Sequence, residues 1–456
     1  MNVYDIAVLG SGPGGYTAAL RAAARGAKVC LIEASKLGGT CLNAGCIPTK
    51  VLAHVGHLAW RIRSVRDYGL RVENLNLDRA VLAKRVGEIV TGLGRGIGSL
   101  LKARGVSVLF GRGRFLDAGT LLVETVQGAE KVSAKSTIIA TGSSPEGLPF
   151  VACDGRHVLS ADQAAALPAL PESVLIVGGG IVGCELASIY AGLGIPVSLV
   201  ETRDRLLGDM DADASVAVLR SLREQSVEVY LGSRLVGLSC WQEGILGEMH
   251  DGRCIRAACA IVAAGRRANT EGIGLENVGV RLEDGVISVD DCCRTNVANF
   301  YAVGDVAEKR RYAHLAARMG IVAADNATGH AASDKRDVVP AGLHTDPEVA
   351  VVGLPSDGTS LHTRTARFPY SASGMARLTG QISGFVKIVA SADSGRICGG
   401  VVVGPHATEV IHEIAIAMRH GLTVAQVADT IHAHPTFAEA VGEAALSWLG
   451  FPLHSL

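Results

Sequence analysis

The sequence predicts an α/β fold, with two doubly wound units followed by a separate C-terminal α+β domain. Three observations carry that prediction. One order of elements (strand, glycine turn, helix, strand, acidic residue) occurs near the start of the chain and recurs 168 positions later, counted from Gly10 to Gly178. Glycine supplies 56 of 456 residues, above the usual roughly 7%, while aromatics are only 4%. That balance suits tight strand-to-helix turns and close helix–sheet packing. From about Val338 the pattern changes to long strands (383–390, 397–403) and helices (407–420, 436–449).

Composition narrows the function classes. With 48% hydrophobic and 19% charged residues the chain can bury several cores, and its length suits two to four domains. Lys plus Arg is 43 and Asp plus Glu is 44. No basic excess exists to hold nucleic acid or an anionic membrane. The richest apolar stretch, Ser173 to Val200, is interrupted by four clustered glycines and Glu185, so no membrane span is expected. The strand pattern beginning at Val3 leaves no room for an export signal. Eleven scattered cysteines do not form a secreted disulfide framework. A reducing cytoplasm is the expected location, where a disulfide is usually catalytic.

The first unit runs from Tyr4 to Glu33 and its turn carries Gly10, Gly12 and Gly15; the second runs from Ser173 to Glu201 and carries Gly178, Gly180 and Gly183. In such a turn the first glycine allows the tight bend. The second lets the backbone approach a pyrophosphate, and the third lets helix and strand pack closely. The helix N-terminus then faces the phosphates. Glu33 and Glu201 each lie 23 positions after the first glycine, where an acid accepts hydrogen bonds from a ribose diol. Both units are therefore Rossmann-like dinucleotide-binding units. Glu201 favours the free 2′-hydroxyl of NAD over a 2′-phosphate, with Arg203 and Arg205 read as surface arginines. Between the units lie a helical region (about 50 to 103), short strands near 106–110, 121–125 and 137–140, the turn Ala140-Thr141-Gly142, and a Pro/Gly/Ser-rich linker from Ser143 to Pro171. Gly265 and Gly304-Asp305 each close a later strand. The domains expected are 1–145, 146–268, 269–337 and 338–456.

Directly after the first unit comes Gly38-Gly39-Thr40-Cys41-Leu42-Asn43-Ala44-Gly45-Cys46-Ile47-Pro48-Thr49-Lys50. Cα atoms five apart on a regular helix are about 8 to 9 Å apart, too far for a disulfide, which needs less than about 7 Å. Gly45 and Pro48 allow the distortion that a bridge would need. Lys50 and a helix N-terminus would stabilise a thiolate once it opened. Cys254 and Cys259 share the spacing but lie in a strand-like run, where an odd offset points to opposite faces; they are read as structural. Near the C-terminus stands His432-Ala433-His434-Pro435-Thr436-Phe437-Ala438-Glu439. Pro435 signals a helix start. His434 then sits just outside the helix and Glu439 in its second turn, where the carboxylate can reach and orient the imidazole. No third ligand is in view, so no metal is expected.

The segment Gly38 to Lys50 resembles the redox-active disulfide of the class I flavoprotein disulfide reductases, in the version of the dihydrolipoamide dehydrogenase branch. Ala140-Thr141-Gly142, Gly178 to Glu185, Gly265-Arg266-Arg267, Tyr301 to Asp305, Pro347 to Ala350 and His432 to Glu439 extend the likeness over nearly the whole chain. The resemblance implies FAD in the first unit, completed by Gly39, Thr40 and Gly304-Asp305, and NAD in the second, with Ile181 at the nicotinamide face. It implies a Cys41–Cys46 bridge, with Cys46 facing the flavin and Cys41 exchanging with substrate, and Lys50 paired with Glu185 beside the flavin ring. His434 is the implied acid/base and Glu439 its orienter, both supplied by the partner in a homodimer whose interface domain is the last one. The implied reaction oxidises dihydrolipoyl groups on a lipoylated carrier protein or E2 subunit. Departures are Ala268, Asp346, a rewritten stretch at 353–366 and Ser373-Gly374-Met375-Ala376-Arg377. A mercuric or glutathione reductase is the enzyme alternative, and a redox-silent docking subunit the non-enzyme one. No cysteine follows Cys398, against the mercuric type, and Glu201 opposes the NADP of the glutathione type.

Overall fold

The computed structural model describes residues 2–63, 65–165, 170–241, 244–353 and 362–455. The first βαβ unit opens with the strand Asn2–Leu9 and the helix Pro13–Ala24, then the strand Val29–Glu33. These strands pair in parallel, as a right-handed crossover through a helix requires. They sit in a seven-stranded sheet ordered 107–110, 29–33, 2–9, 128–139, 120–125, 112–117, with Phe300–Ala302 also pairing Gly128–Ile139. The chain thus returns to its first sheet 160 residues after leaving it, which brings Gly304 and Asp305 back to the first glycine turn.

The second unit builds a five-stranded parallel sheet ordered 228–230, 197–200, 174–177, 259–262, 158–160. A small antiparallel sheet, 235–241, 244–249 and 254–257, packs beside it. The C-terminal region is a five-stranded antiparallel sheet ordered 341–343, 349–353, 397–403, 385–391, 363–369. The helices Ala407–Arg419 and Glu439–Leu449 cover it and share its core.

Three expectations need correcting. The helical region is two helices, Cys46–Arg63 and Arg79–Ala103, the second capped by the Asp78 side chain. Cys254 and Cys259 do not share a strand: Cys254 is exposed on Cys254–Ala257 and Cys259 buried on Cys259–Val262, in different sheets. The last helix begins at Glu439 itself, four residues after the cis His434–Pro435 bond. Proline favours a first helical position, but here the intervening residues form a turn instead. The rewritten stretch at 353–366 falls largely outside the described residues.

One packing feature positions the site. The helices Cys46–Arg63 and Ile181–Gly192 cross at glycines: a Cβ on Gly56 would lie 3.0 Å from Ile189 O, and one on Gly192 would lie 2.8 Å from Gly56 O. That close approach joins the first unit to the second. Leu52, Ala53, Leu186, Ile189, Leu343, Val349 and Phe385 belong to one buried cluster, so the C-terminal sheet is packed into the same junction. Lys50 and Glu185 are carried on the two crossing helices.

Candidate active site

The two glycine turns adopt the same geometry. Gly10 has φ +101° and Gly178 φ +110°, a region that disfavours side chains. A Cβ on Gly15 would lie 1.9 Å from Gly10 O, and one on Gly183 would lie 1.8 Å from Gly178 O. Gly12 and Gly180 are the helix N-caps; neither helix end has a side-chain cap, and a Cβ at either position would meet open space. Each helix therefore presents unsatisfied N–H groups and a positive dipole end to a void lined by glycine, a cradle that fits a pyrophosphate. Both turns line one continuous cleft of about 1970 Å³, ample for two dinucleotides.

Each motif acid holds its own turn. Glu33 Oε2 accepts from Ser11 N–H at 2.9 Å and from the Ser11 hydroxyl at 2.6 Å, and its Oε1 accepts from Ser35 N–H at 2.7 Å. Glu201 Oε2 accepts from Gly179 N–H at 2.6 Å, and its Oε1 accepts from Arg203 N–H at 2.8 Å and the Thr202 hydroxyl at 3.0 Å. A carboxylate has about four acceptor sites, so one remains on each for a ribose hydroxyl. Arg203 is engaged with Asp209 at 2.7 Å, and Arg205 donates to Gly208 O at 2.7 Å.

The two cysteines stand where the helix is broken. Gly39–Asn43 is one short helix, Ala44 leaves helical geometry at φ −148°, and Cys46 begins the next. Both are free thiols, in hydrogen-bond contact with each other. That contact, with the proton on Cys41, is the main reason the Cys46 thiol is pushed down to about 7; burial opposes it and the Lys50 ammonium assists. Cys41 is pushed up by the same hydrogen bond and by burial. Of the two sulfurs, Cys46 is therefore the one that carries the negative charge.

Lys50 Nζ donates to both oxygens of Glu185, at 2.8 and 2.9 Å. Glu185 is buried, and its Oε1 also accepts from His344 N–H at 2.8 Å. Asp305 Oδ2 accepts from the Ser143 hydroxyl at 2.6 Å; that hydroxyl accepts from Arg266 Nε at 2.8 Å, and Arg266 also pairs with Asp162 at 2.6 Å. Thr141 and Asn269 exchange hydrogen bonds at 2.8 and 2.9 Å, which fixes the 140–142 turn. Gly39, Thr40, Ala140, Gly142, Ile181, Gly265 and Gly304 all line the cleft beside Cys41, Cys46, Lys50 and Glu185. Ser11, Ser143, Arg266 and His344 carry much of this network. Sequence reasoning gave the first, second and fourth no role, because each acts through hydrogen bonds to residues distant in the chain.

His434 and Glu439 do pair, Nδ1 to Oε1 at 2.8 Å, but they lie outside the cleft. Glu439 also accepts from Thr436 N–H at 2.7 Å. Burial raises its pKa, yet that bond and the imidazole more than offset it, so the carboxyl is net lowered. The His434 side chain is 79% exposed. Within one chain it is not brought to Cys41. Among the described residues no His, Cys, Asp and Glu cluster could hold a metal ion, and no helix is long and apolar enough to cross a membrane.

Comparison with known proteins agrees with this architecture. Residues 4–320 match the family described as pyridine nucleotide-disulphide oxidoreductase, and residues 339–445 match its dimerisation domain. The dihydrolipoyl dehydrogenase of Zymomonas mobilis is 38% identical over 461 residues, 99% of each chain. That of Bacillus subtilis is 36% identical over 471 residues, again 99% of each. The crystal structure of LpdA from Mycobacterium tuberculosis superposes with a TM-score of 0.92 at 31% identity, covering 98% of this chain and 99% of that one. The HOCl-induced flavoprotein disulfide reductase RclA from Escherichia coli shares the fold, with a TM-score of 0.87 at 24% identity over 97% of this chain and 99% of that one. With its first two units and its last domain both matched, and relatives aligned over nearly the whole length, this chain belongs to the pyridine nucleotide-disulphide oxidoreductase family.

Proposed function

We propose that the protein is an FAD- and NAD-dependent dihydrolipoyl dehydrogenase, acting as a homodimer on dihydrolipoyl groups carried by a separate lipoylated protein or E2 subunit in the cytoplasm. The observation that carries the reading is the Cys41/Cys46 pair held beside the Lys50–Glu185 ion pair, in the cleft between two uncapped helix ends. On this reading Gly10, Gly12, Gly15, Glu33, Gly39, Thr40, the 140–142 turn, Gly304 and Asp305 hold FAD. Gly178, Gly180, Ile181, Gly183, Glu201 and Gly265 hold NAD. Bound FAD supplies a two-electron relay between the enzyme dithiol and NAD.

The oxidised enzyme carries a Cys41–Cys46 disulfide. One substrate thiolate attacks Cys41 Sγ, forming a mixed disulfide and releasing Cys46 as thiolate. The second substrate thiolate then attacks the first substrate sulfur, which closes the lipoyl disulfide and frees Cys41. Cys46 is suited to leave because it is the more acidic thiol. His434 accepts a substrate thiol proton at Nε2, since Nδ1 faces Glu439; the carboxylate fixes that tautomer and stabilises the charged ring. Because the pair lies outside the cleft of its own chain, it serves the cleft of the partner subunit, and the dimer is required for turnover. Lys50 and Glu185 keep the floor of the site polar and fixed. The two electrons leave the dithiol for NAD, giving NADH and one proton.

The test is turnover of dihydrolipoamide with NAD. Wild-type protein is expected to turn over and Cys41→Ser to lose dithiol oxidation, while NADH still reduces the flavin. Normal dihydrolipoamide turnover by Cys41→Ser refutes the assignment.

A further inference from the structure

The rim of the second glycine turn carries more charge than Glu201 alone. After the strand Val197–Val200 the chain runs through Glu201 to Asp211 before the helix Ala212–Glu224. Glu201, Thr202, Arg203, Gly208, Asp209, Ser233 and Arg234 line the cleft there. The neighbouring backbone is tied to this loop, with Gly232 N–H donating to Arg203 O at 2.8 Å and Ser233 N–H to Glu201 O at 2.9 Å. Two arginines, Arg203 and Arg234, therefore line the same rim of the cleft as Glu201. The Arg203 side chain packs over Gly208, where a Cβ would be 2.4 Å from its Nη1, and donates to Asp209 at 2.7 Å.

We propose that Arg203 and Arg234 form a latent 2′-phosphate subsite, and that Asp209 is the specificity residue that closes it by holding the Arg203 guanidinium across Gly208. The proposal rests on the reading of this turn as the nicotinamide dinucleotide site. An arginine fork matches a phosphate bidentately. Left alone, Arg203 would offset the repulsion that Glu201 exerts on the phosphate of NADP. Asp209 engages one arm of that fork, Nη1, and adds a second carboxylate to the rim. Its position is fixed rather than incidental. Leu207 N–H donates to Gly179 O at 2.9 Å, which pins the loop to the glycine turn. Two residues on from Asp209, buried Asp211 caps the next helix and pairs with Lys387 at 2.9 Å. The Arg203–Asp209 pair itself is exposed, 54% and 89% by side chain. Exposed pairs are weak, so the device works by occupancy and charge rather than by strong binding.

The experiment measures kcat/KM for NADPH relative to NADH in flavin reduction of the holoenzyme, and reads only that ratio. Glu201→Gln is expected to raise it about 10-fold. Adding Asp209→Asn, or Asp209→Ser as a second variant, is expected to raise it at least about 5-fold further. Arg203→Met placed on that double variant is expected to remove the second gain. The contribution of Asp209 should shrink as ionic strength rises, because the groups are exposed; a purely structural effect would not follow salt in this way. A second gain below about 2-fold, or one that survives Arg203→Met, overturns the proposal. Wild-type protein whose flavin is not reduced by NADH would instead remove the underlying site assignment, so the two failures are distinguishable.

Discussion

Loss of Cys41 should cost Cys46 its thiolate. Four causes act on the Cys46 sulfur besides burial: the hydrogen bond with Cys41, which is the largest, the Lys50 ammonium and a backbone hydrogen bond, which lower the pKa further, and the Glu185 carboxylate, which raises it. Together they put the thiol at about 7, half ionised at neutral pH. In Cys41→Ala the largest stabilising contribution disappears while burial remains. The pKa should then return at least to the ordinary thiol value of about 8.5. That is a rise of about 1.5 units, or about 2 kcal/mol against the charged form. The thiolate fraction at pH 7 falls from about a half to about 3%, so a thiolate-dependent rate falls about 15-fold. The assay is alkylation of reduced holoenzyme with iodoacetamide across pH 5 to 10, with modification of Cys46 located by peptide mass spectrometry. The sign is fixed: reactivity is present above the midpoint and lost as pH falls through it, and the variant shifts that loss to higher pH. Lys50→Met should move the midpoint up as well, and Glu185→Gln should move it down. A Cys41→Ala midpoint that stays near 7, or opposite shifts in the Lys50 and Glu185 variants, would refute this account of the thiolate.

Two further outcomes are expected. Mixing inactive Cys41→Ser and His434→Ala chains, with subunit exchange, should restore up to about half of wild-type turnover per mixed dimer, because one of its two sites then carries neither lesion; dimers shown to be mixed yet inactive would place base and disulfide on the same chain. Lys387→Met should destabilise the protein by about 2–4 kcal/mol, since it removes the buried counter-ion of the Asp211 carboxylate, whereas Asp213→Asn, at the half-exposed end of the same cluster, should cost under about 1 kcal/mol. Urea midpoints followed by tryptophan fluorescence compare the two, and equal shifts would count against burial as the cause.

What the sequence disclosed follows from how local each feature is. The glycine turns were legible because backbone approach, helix packing and the acid all fall within 24 consecutive residues. The break between Cys41 and Cys46 was legible from Gly45, although the new helix starts at Cys46 without waiting for Pro48. Lys50 with Glu185 is a contact between residues 135 apart; only the resemblance supplied it, and the glycines Gly56 and Gly192 that permit the helix crossing gave no sign of their partner. Lys387 with Asp211, 176 apart, had no signal at all, because a lysine inside the apolar run Phe385–Ser391 announces burial but not its counter-ion. Pro435 suggested a helix start four residues too early, since a proline in a turn before a helix reads like one inside its first turn.

The internal echo extends to a detail that neither copy of the motif reveals by itself. Ser11 and Gly179 occupy the same place, one residue after the first glycine, and each donates its N–H to the acid that ends its unit. Glu33 and Glu201 therefore brace their turns before any ribose is bound. An ionised acceptor on a backbone N–H contributes about 1.5–3 kcal/mol, so an acid at this position stabilises the turn as well as choosing the nucleotide. Replacing Glu201 then does two things at once: it removes the charge that repels a 2′-phosphate, and it loosens the turn that receives the pyrophosphate. The second effect falls on NADH and NADPH alike, because both present the same pyrophosphate. It lowers both values of kcat/KM and cancels in their ratio, whereas the charge effect does not cancel. A Glu201 variant with poor NADH turnover is thus compatible with a selectivity role for the acid, and the ratio of the two cofactors is the quantity that isolates it.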